Sequence, residues 1–396
     1  MTLKDKVKQL SEDCFDEILA IRRHLHANPE LSFQEYETSA FVRKTLEEFG
    51  YQNISSIADT GLTVTVEGRN PEKKVIALRA DMDALPITEA NNVSYKSKNE
   101  GVMHACGHDV HSASMLGAAK ILNTVKEEFE GTIKFIFQPG EEKLPGGASV
   151  MIKEGILENP NPSAIIGQHV MPSMPIGKVG FRKGMYMASA DEIYVTVHGK
   201  GGHGAMPELC VDPVLISSHI IVALQQVVSR MASPKIPSVL TFGKVIADGA
   251  TNVIPNEVKM EGTFRTFNEE WRSEAHEKMK KMAEGIAASM GGSCDFDVHV
   301  GYPYLENHPA LTEFTKNAAI EYMGAENVVD MDLRLTAEDF AYFTQERDAC
   351  FYRLGTRNED KGIVSSVHTP TFDIDEEALK TGMGLMSWLA ICNLNR

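Results

Sequence analysis

The chain has 396 residues, of which 43% are hydrophobic and 24% charged, so it is long enough for two domains and a large core. Its 39 basic and 55 acidic residues give a formal net charge of -16, which argues against a nucleic-acid partner and against binding to an anionic membrane. Six scattered cysteines, no apolar leader and no uninterrupted 18-residue apolar stretch predict a cytoplasmic protein with reduced thiols.

Helices and strands alternate along the first half of the chain. Apolar residues at helical spacing predict a helix over about 5–26 and another over about 35–49. Strands are predicted at 61–68, 75–80, 132–137 and 164–167, with helices at 111–122 and 147–154. This alternation predicts an open, mostly parallel α/β sheet with helices on both faces.

The pattern changes near residue 188. Strands at 192–199, 238–246, 257–264 and 294–300 and helices at 212–231 and 269–290 follow the order β-α-β-β-α-β, which is typical of a ferredoxin-like unit. The first pattern then resumes with helices at 308–323, 336–343 and 375–392 and a strand at 349–354. We therefore predict an inserted α+β domain at 188–300, within an α/β domain formed by 1–187 and 301–396.

The segment His104–His111 concentrates three histidines, a cysteine and an aspartate in eight residues. Imidazole and thiolate are preferred ligands of borderline-soft divalent metals, and Cys106 and His108 could face one ion from a loop. The alternative is a helix N-terminus capped by Asp109, with histidines that are exposed by chance. No second Cys-x-x-Cys or histidine pair lies nearby, so further ligands must come from distant parts of the chain.

Other polar residues follow the carboxyl ends of predicted strands, where open α/β sheets bind ligands. The candidate metal ligands are Cys106, His108, Glu142, His169 and His368. Five ligands exceed the needs of one four-coordinate ion, so a pair of ions fits better. Neighbouring extended side chains point in opposite directions, so Glu142 can bind metal while Glu141 faces the substrate as a base. A solvated pair of charges is the alternative for these two glutamates.

Several motifs resemble the hippurate hydrolase type of amidohydrolase, and the resemblance covers nearly the whole chain. The segments that carry it begin at His26, Arg79, His104, Gln138, Gly201, Asn252, Glu338 and His368. This group includes N-acyl-amino-acid deacylases and plant auxin-conjugate hydrolases, within the aminoacylase and carboxypeptidase metallopeptidase family. Two differences from the group stand out: Gly140 replaces a common alanine, which we expect to matter little, and Glu208 replaces a common histidine.

The resemblance implies a mixed-sheet, aminopeptidase-like catalytic domain with an inserted lid, through which the chain forms a homodimer or a higher oligomer. It implies that the five ligands bind two divalent ions (zinc, manganese, nickel or cobalt) and that Glu141 is the general acid/base. It also implies that His203 stabilises the oxyanion and that Asn252 and Arg265 bind the substrate's free carboxylate.

The expected reaction is therefore hydrolysis of the amide bond of small N-acyl-amino acids. A metallo-carboxypeptidase or dipeptidase acting on small peptides is the alternative within the same chemistry. A different mechanism is a thiol hydrolase, in which Cys106 paired with His104 or His108 could be the nucleophile. A binding module with purely structural ions is the remaining alternative.

Overall fold

The computed structural model describes all residues from Met1 to Arg396 and divides into two compact units. The large unit comprises Met1–Tyr186, Glu306–Leu333 and Asp339–Arg396, and the small unit comprises Met187–Leu305 and Arg334–Glu338. The short segment Arg334–Glu338 belongs to the small unit although it lies far along the chain, and the domain boundaries predicted from the sequence did not include it.

Ten α-helices and sixteen strands make up the two units. The helices are α1 Leu3–Asp13, α2 Phe15–Ala27, α3 Tyr36–Glu48, α4 His108–Thr124, α5 Gly147–Lys153, α6 Pro213–Gln226, α7 Glu269–Ser289, α8 Pro309–Met323, α9 Ala341–Glu346 and α10 Ala378–Leu394. The strands are β1 Ser55–Ile57, β2 Gly61–Glu67, β3 Val75–Asp81, β4 Thr132–Gln138, β5 Ala164–Pro175, β6 Val179–Phe181, β7 Gly184–Met187, β8 Asp191–His198, β9 Gly202–His203, β10 Ser238–Ile246, β11 Val253–Ile254, β12 Glu257–Thr266, β13 Ser293–Val300, β14 Leu305–Asn307, β15 Val328–Asp330 and β16 Asp348–Arg357.

The large unit is built on an eight-stranded mixed sheet in the order β1-β2-β4-β3-β5-β16-β6-β15. The central strands β4, β3, β5 and β16 run parallel, while β1, β2 and β6 pair antiparallel with their neighbours β2, β4 and β16. Every residue of β4 is buried, and α4 and α10 are buried along most of their length because they pack together over the sheet. The predicted fold class is confirmed.

Several predicted boundaries are wrong. The helix predicted at 5–26 is two helices, α1 and α2, which meet at Cys14 without a glycine or proline to mark the break. The strand predicted to end at 167 continues to Pro175, because β16 pairs with it well beyond that point. The helix predicted at 336–343 is α9, which begins only at Ala341.

The small unit has a four-stranded antiparallel sheet in the order β10-β12-β8-β13, with α6 and α7 packed on it. This is the predicted ferredoxin-like arrangement. The edge strand β10 contains a bulge at Gly243, where its register with β12 shifts between Phe242 and Lys244. Together with the π-helical turn that ends at Met231, α6 is long and apolar enough to cross a membrane by length and composition alone.

One side of α6 packs inside the small unit and the other side does not. Ile216, Ile220 and Leu224 lie in the hydrophobic core. Val222 on the outer side is 74% exposed and Leu215 is 50% exposed. Burial in the core therefore accounts for only part of the apolar character of this helix.

Candidate metal centre

The candidate residues of the large unit meet at one edge of its sheet. The parallel strands β3 and β4 end at Asp81 and Gln138, and the segments that follow them carry polar side chains to this edge. The structure brings together Cys106, His108, Glu141, Glu142, His169 and His368. They form overlapping groups of three, and within each group the possible ligand atoms all lie within 4.8 Å of one another.

A sharp turn at Gly107 places Cys106 and His108 at this edge. Gly107 has φ +84° and precedes the first residue of α4, and a Cβ there would lie 2.6 Å from a methyl carbon of Val170. Only glycine fits this combination of left-handed backbone and close packing. His108 therefore lies on the first turn of α4 and not in a loop as predicted, while its role as a ligand beside Cys106 stays a prediction.

The alternative of an exposed, capped helix N-terminus is also wrong. His104, His108 and His111 are all buried. Asp109 does not cap α4; its carboxylate accepts hydrogen bonds from Arg22 and His26 inside the protein. A buried cluster of this composition needs a specific partner for its polar atoms.

His108 presents one ring nitrogen that has no hydrogen bond. Its Nδ1 donates to the backbone carbonyl of Asp83 at 2.8 Å, which leaves the lone pair on Nε2. The buried Nε2 has no hydrogen-bond partner, yet Asp81, Glu141 and Glu142 each place a carboxylate oxygen 3.8–4.0 Å away. A cation among these groups would satisfy the nitrogen and the acidic oxygens together.

His169 is oriented in the same way. Its Nδ1 donates to the carbonyl of Val170 at 2.7 Å, and its Nε2 lies 3.5 Å from Cys106 Sγ. His111 differs, because both of its ring nitrogens are bonded: Nδ1 donates to Asp81 at 2.6 Å and Nε2 accepts from the Val170 amide at 2.9 Å. His111 therefore supports the strand that carries His169 and offers no lone pair to a metal.

Glu142 and His368 complete the candidate set. Glu142 Oε1 lies 3.1 Å from His368 Nε2, and the Glu142 amide donates to the Asp83 carboxylate at 2.9 Å. The backbone of His368 adopts φ +61°, and its amide donates to the carbonyl of Ala105 at 2.7 Å. The side chain of His368 is half exposed, whereas the other candidates are buried or nearly so.

Cys106 belongs to two of the three-residue groups, one with His108 and His169 and one with Glu142 and His368. Nitrogen, thiolate and carboxylate donors in this ratio suit zinc, cobalt or nickel. The residues present therefore fit two ions, and the unpartnered Nε2 of His108 supports this fit.

The pKa values of the metal-free protein reflect how closely these groups are packed. Burial raises the pKa of the Cys106 thiol, and the charge of Glu142 raises it further. Hydrogen bonding to Cys106 and Glu142 raises the pKa of His368 to about 10. Burial lowers the pKa of His169 well below its usual value. Metal ligands must be deprotonated, so a bound ion would replace the protons that Cys106 and His368 otherwise hold.

Glu141 lies beside the ligands with its carboxylate fixed. It is 6% exposed; Oε1 accepts from the Asp339 amide at 3.3 Å, and Oε2 lies 3.9 Å from His108 Nε2. The Asp339 carboxylate is itself held by Arg79 at 2.8 Å and by Gln138 at 2.7 Å. The buried guanidinium of Arg79 also binds Asp81, so one cation supports both the end of β3 and the segment that precedes α9.

Gly140 makes the turn that separates Glu141 from the end of β4. Its φ is +57°, and a Cβ there would lie 2.5 Å from the ring of Phe33. Alanine here would need a left-handed backbone and a displaced Phe33 ring, so the difference affects the local backbone; that it matters little for function stays a prediction. The Gly140 amide donates to Glu35 at 2.8 Å, which ties the turn to the segment before α3.

Sequence reasoning missed several residues that hold this site. Ser32 donates to the Asp83 carboxylate at 2.6 Å, and Asp83 in turn holds His108 and Glu142. Asp83 is visible in the sequence as the second carboxylate after a strand, whereas Ser32 has no such signal. Glu30 accepts hydrogen bonds from the first amides of α3 and caps that helix.

Two candidates lie in a two-stranded ribbon of the small unit. β9 pairs with β11, and the Gly204 amide donates to the carbonyl of Asn252 at 2.8 Å, so His203 and Asn252 occupy one exposed ribbon. His203 Nδ1 accepts from the Ala205 amide at 3.1 Å. The proton of a neutral His203 therefore lies on Nε2, where it can be donated to a ligand.

Arg265 lies on β12, one residue before its end, and is partly buried. Its Nη1 donates to the backbone carbonyl of Leu335 at 3.1 Å. Burial lowers the pKa of Arg265. A guanidinium with donors left over in a partly desolvated position is suited to bind a carboxylate.

Residues 77–390 match the family model described as peptidase family M20/M25/M40. An N-acyl-L-amino acid amidohydrolase of Geobacillus stearothermophilus is 41% identical over 305 residues, 77% of this chain and 82% of that protein. Thermostable carboxypeptidase 2 of Saccharolobus solfataricus is 38% identical over 396 residues, 99% of each chain.

Among solved structures, the YXEP protein of Bacillus subtilis is similar throughout its length. That protein is described as a dinuclear metal binding peptidase from the M20 family. It superposes with a TM-score of 0.83 at 36% identity and covers 97% of this chain and 99% of its own. The match therefore extends over both compact units.

Proposed function

Because this chain belongs to peptidase family M20/M25/M40, we propose that it is a metal-dependent amidohydrolase that releases amino acids from small N-acyl-amino acids. The observation that carries this proposal is the arrangement of four candidate ligands around the fifth, Cys106, with the carboxylate of Glu141 fixed beside them. Two ions are bound in this proposal, one with His108 and His169 and one with Glu142 and His368. Each of these ions is zinc, manganese, nickel or cobalt.

The bound ions would supply a water with a pKa lowered toward ~7 and would polarise the acyl carbonyl. Glu141 accepts the proton of the attacking water and returns it to the nitrogen of the leaving amino acid. The hydrogen bond from the Asp339 amide holds Glu141 in one orientation for both transfers. His203 donates its Nε2 proton in a hydrogen bond to the oxyanion as the carbonyl becomes tetrahedral.

The substrate in this proposal carries a free α-carboxylate. Arg265 has donors beyond the one that it gives to Leu335, and Asn252 supplies an amide donor from the exposed ribbon. Together they can bind a carboxylate through charge-assisted hydrogen bonds. Acetyl- and benzoyl-amino acids are the substrates that meet this requirement and are small.

A metallo-carboxypeptidase is the second candidate function. The similarity to thermostable carboxypeptidase 2 over 99% of the chain favours it, and the same ligands, base and carboxylate site would serve. The two candidates differ only in what lies on the acyl side of the scissile bond. The thiol hydrolase is less well supported, because burial and Glu142 hold the pKa of Cys106 above its usual value.

We also propose that the chain assembles as a homodimer or higher homo-oligomer through the small unit. The outer side of α6 and the end of the neighbouring edge strand expose Val222, Leu215, Val245 and Ile246. A second copy that pairs along β10 would bury these side chains in a self-complementary interface. Sedimentation of Val222→Glu should then give a smaller species than wild type.

We propose that the protein is cytoplasmic. All six cysteines are free, and the candidate ligand Cys106 must remain a reduced thiolate to bind metal. Because the net charge is negative and the proposed substrate is small, we propose no nucleic-acid or membrane partner.

The proposal is tested by removing the metal with a chelator and adding back zinc, manganese, cobalt or nickel separately. Amino-acid release from acetyl- and benzoyl-amino acids should disappear and then return, with kcat/KM above that for matched dipeptides. Cys106→Ser should lose metal, whereas Cys350→Ser, an equally buried cysteine outside the site, should retain it. Hydrolysis that survives metal removal would favour the thiol alternative, and a preference for dipeptides would favour the carboxypeptidase.

A further inference from the structure

Arg22 is a fully buried cation that no step of the proposed reaction uses. It lies on α2, and its side chain is 0% exposed. Nε donates to Asp109 at 2.8 Å, Nη2 donates to Asp373 at 3.1 Å and Nη1 donates to Glu376 at 3.2 Å. Burial alone would lower the pKa of Arg22, but these carboxylates outweigh it and hold the pKa above its usual value, so the group remains charged. One guanidinium thus joins carboxylates from two distant segments.

Each of those segments carries a candidate metal ligand. Asp109 directly follows His108 on the first turn of α4. Asp373 lies five residues after His368, at the end of a loop whose exposed part has no regular structure. Arg22 therefore connects the helix that holds one ligand to the loop that holds another.

The two ligands differ in how much other support they have. His108 is fixed by Asp83 and by α4, and Asp109 would keep a hydrogen bond from His26 at 2.8 Å without Arg22. His368 is half exposed and has φ +61°. The position of His368 thus depends more heavily on the contacts that fix the ends of its loop.

Asp373 supplies the charged part of those contacts, beside hydrogen bonds from Ala90 and Asn91 to backbone carbonyls of the same loop. Its second oxygen accepts from Tyr95 at 2.8 Å, and the Arg22 guanidinium stacks over the Tyr95 ring at 4.8 Å. Phe372 beside it is fully buried. Without Arg22, Asp373 would retain the Tyr95 hydrogen bond but would lose its buried counter-charge, which disfavours the present position of the loop.

We propose that Arg22, acting through Asp373, is a positioning residue that sets the affinity of one of the two metal ions, the one bound by Glu142 and His368. This inference rests on the proposed function, because it assumes that both ions bind. Residues that support metal ligands from outside typically change metal affinity by about 10–100-fold when they are replaced. The ion bound by His108 and His169 should bind as in wild type, since its ligands keep their own supports.

Arg23 provides a matched control. It is the next residue on α2, binds Glu376 through two hydrogen bonds at 2.8 and 2.6 Å and stacks over Tyr95 at 5.1 Å. Its side chain is 42% exposed, and it contacts neither Asp109 nor Asp373. Arg23→Gln therefore removes a neighbouring cation from the same region and leaves the link between the two ligand segments intact.

The experiment titrates metal-free protein with Co²⁺ and Zn²⁺ against a competing chelator, with bound metal counted by native mass spectrometry. Arg22→Lys and Asp373→Asn should bind the first ion like wild type and the second about 10–100-fold more weakly. At saturating metal, kcat should recover with KM unchanged. Arg23→Gln should match wild type for both ions. Circular dichroism of the metal-free variants shows whether each is folded. If Arg22→Lys does not fold, metal binding by Asp373→Asn alone tests the inference.

Three results would overturn the inference: equal weakening of both ions, unchanged binding in Asp373→Asn, or the same loss in Arg23→Gln. The metal titration contains no substrate, so its outcome is separate from that of the proposed function. A wild type that binds two ions but cleaves no acyl-amino acid would contradict the proposed function alone. A wild type that binds fewer than two ions would contradict both.

Discussion

The large and small units hold their candidate functional residues by different means. In the large unit, buried cations such as Arg22 and Arg79 bond several carboxylates each, and these carboxylates support the candidate ligands. In the small unit, His203 and Asn252 are exposed on a short ribbon that backbone hydrogen bonds hold together. Residues of the large unit are thus fixed before any ligand arrives, whereas those of the small unit are displayed for contact. Substitutions should therefore have different consequences in the two units.

The largest effect should come from the adjacent glutamates of the large unit. Glu141→Gln should retain both ions and lose roughly 10²–10⁴ in kcat, the usual contribution of a positioned acid/base. Glu142→Gln should lose activity together with metal, because its Oε1 lies against His368. Metal analysis by mass spectrometry on both variants separates these roles, and equal metal loss in the two would contradict the division between base and ligand.

His203→Ala tests the displayed residues of the small unit. The variant should fold and bind two ions, because His203 contributes only an exposed side chain, yet lose about 2.7–4 kcal/mol of transition-state stabilisation. Steady-state kinetics with metal counting is the measurement. Mixed oligomers with Glu141→Gln add a further readout, since recovered activity would mean that His203 serves the site of a second chain. A loss of metal in His203→Ala would place it with the ligands instead.

A smaller effect is expected for Arg265→Ala. Amidating the substrate carboxylate leaves the wild-type guanidinium without its partner and should cost about 1–3 kcal/mol in kcat/KM. The variant should lose this preference for the acid over the amide. If wild type cleaves both equally, the proposed carboxylate site does not exist. If Arg265→Ala keeps the preference, another residue binds the carboxylate.

The smallest effect concerns the buried ion cluster of the small unit. Burial would raise the pKa of Asp191, but hydrogen bonds from His276 and Arg272 hold it below its usual 3.8. The unfolded chain therefore takes up this proton first, so the stabilisation is present above pH 3.8 and is lost as the pH falls through the folded-state pKa. His276→Leu removes one hydrogen bond to the Asp191 carboxylate and should raise the pH midpoint of acid unfolding by about one unit.

The two tryptophans allow this midpoint to be assigned to one unit. Trp271 is buried in the small unit and Trp388 lies on α10 of the large unit, so fluorescence in a Trp388→Phe background reports on the small unit alone. His198→Leu is the control, because His198 pairs with Asp295 at an exposed position of the same sheet. An equal shift in both variants would mean that burial of the ion pair is irrelevant.

The sequence predicted well what depends on local pattern. The fold class and the ferredoxin-like order of the small unit followed from apolar periodicity, and the edge of the sheet that gathers the candidate ligands followed from polar residues after strands. Where local sequence signals are weak, the predicted ends of helices and strands were wrong. Gln168 and His169 looked like the end of a strand, but pairing of β16 with β5 keeps them within it.

The supporting residues were not predictable in the same way. Arg22 contacts Asp109 and Asp373 across 87 and 351 residues of chain, and no periodicity marks such a link. The left-handed backbone of His368 and the contact of Gly140 with Phe33 likewise depend on tertiary packing. Sequence identifies residues with suitable chemistry, whereas the contacts that orient them arise only in the folded chain.

The bulge at Gly243 lowers the tendency of the edge strand β10 to aggregate. A nine-residue edge strand that ends in Val245 and Ile246 is a template on which further chains could add without limit. The bulge interrupts the regular spacing of β10, and Lys244 beside it places a charge on the strand. Bulges and charged side chains commonly prevent edge strands from pairing with other chains. Indefinite addition of chains along β10 is therefore disfavoured. A closed dimer, in which the bulge of one chain lies opposite the bulge of the other, is still compatible with this strand.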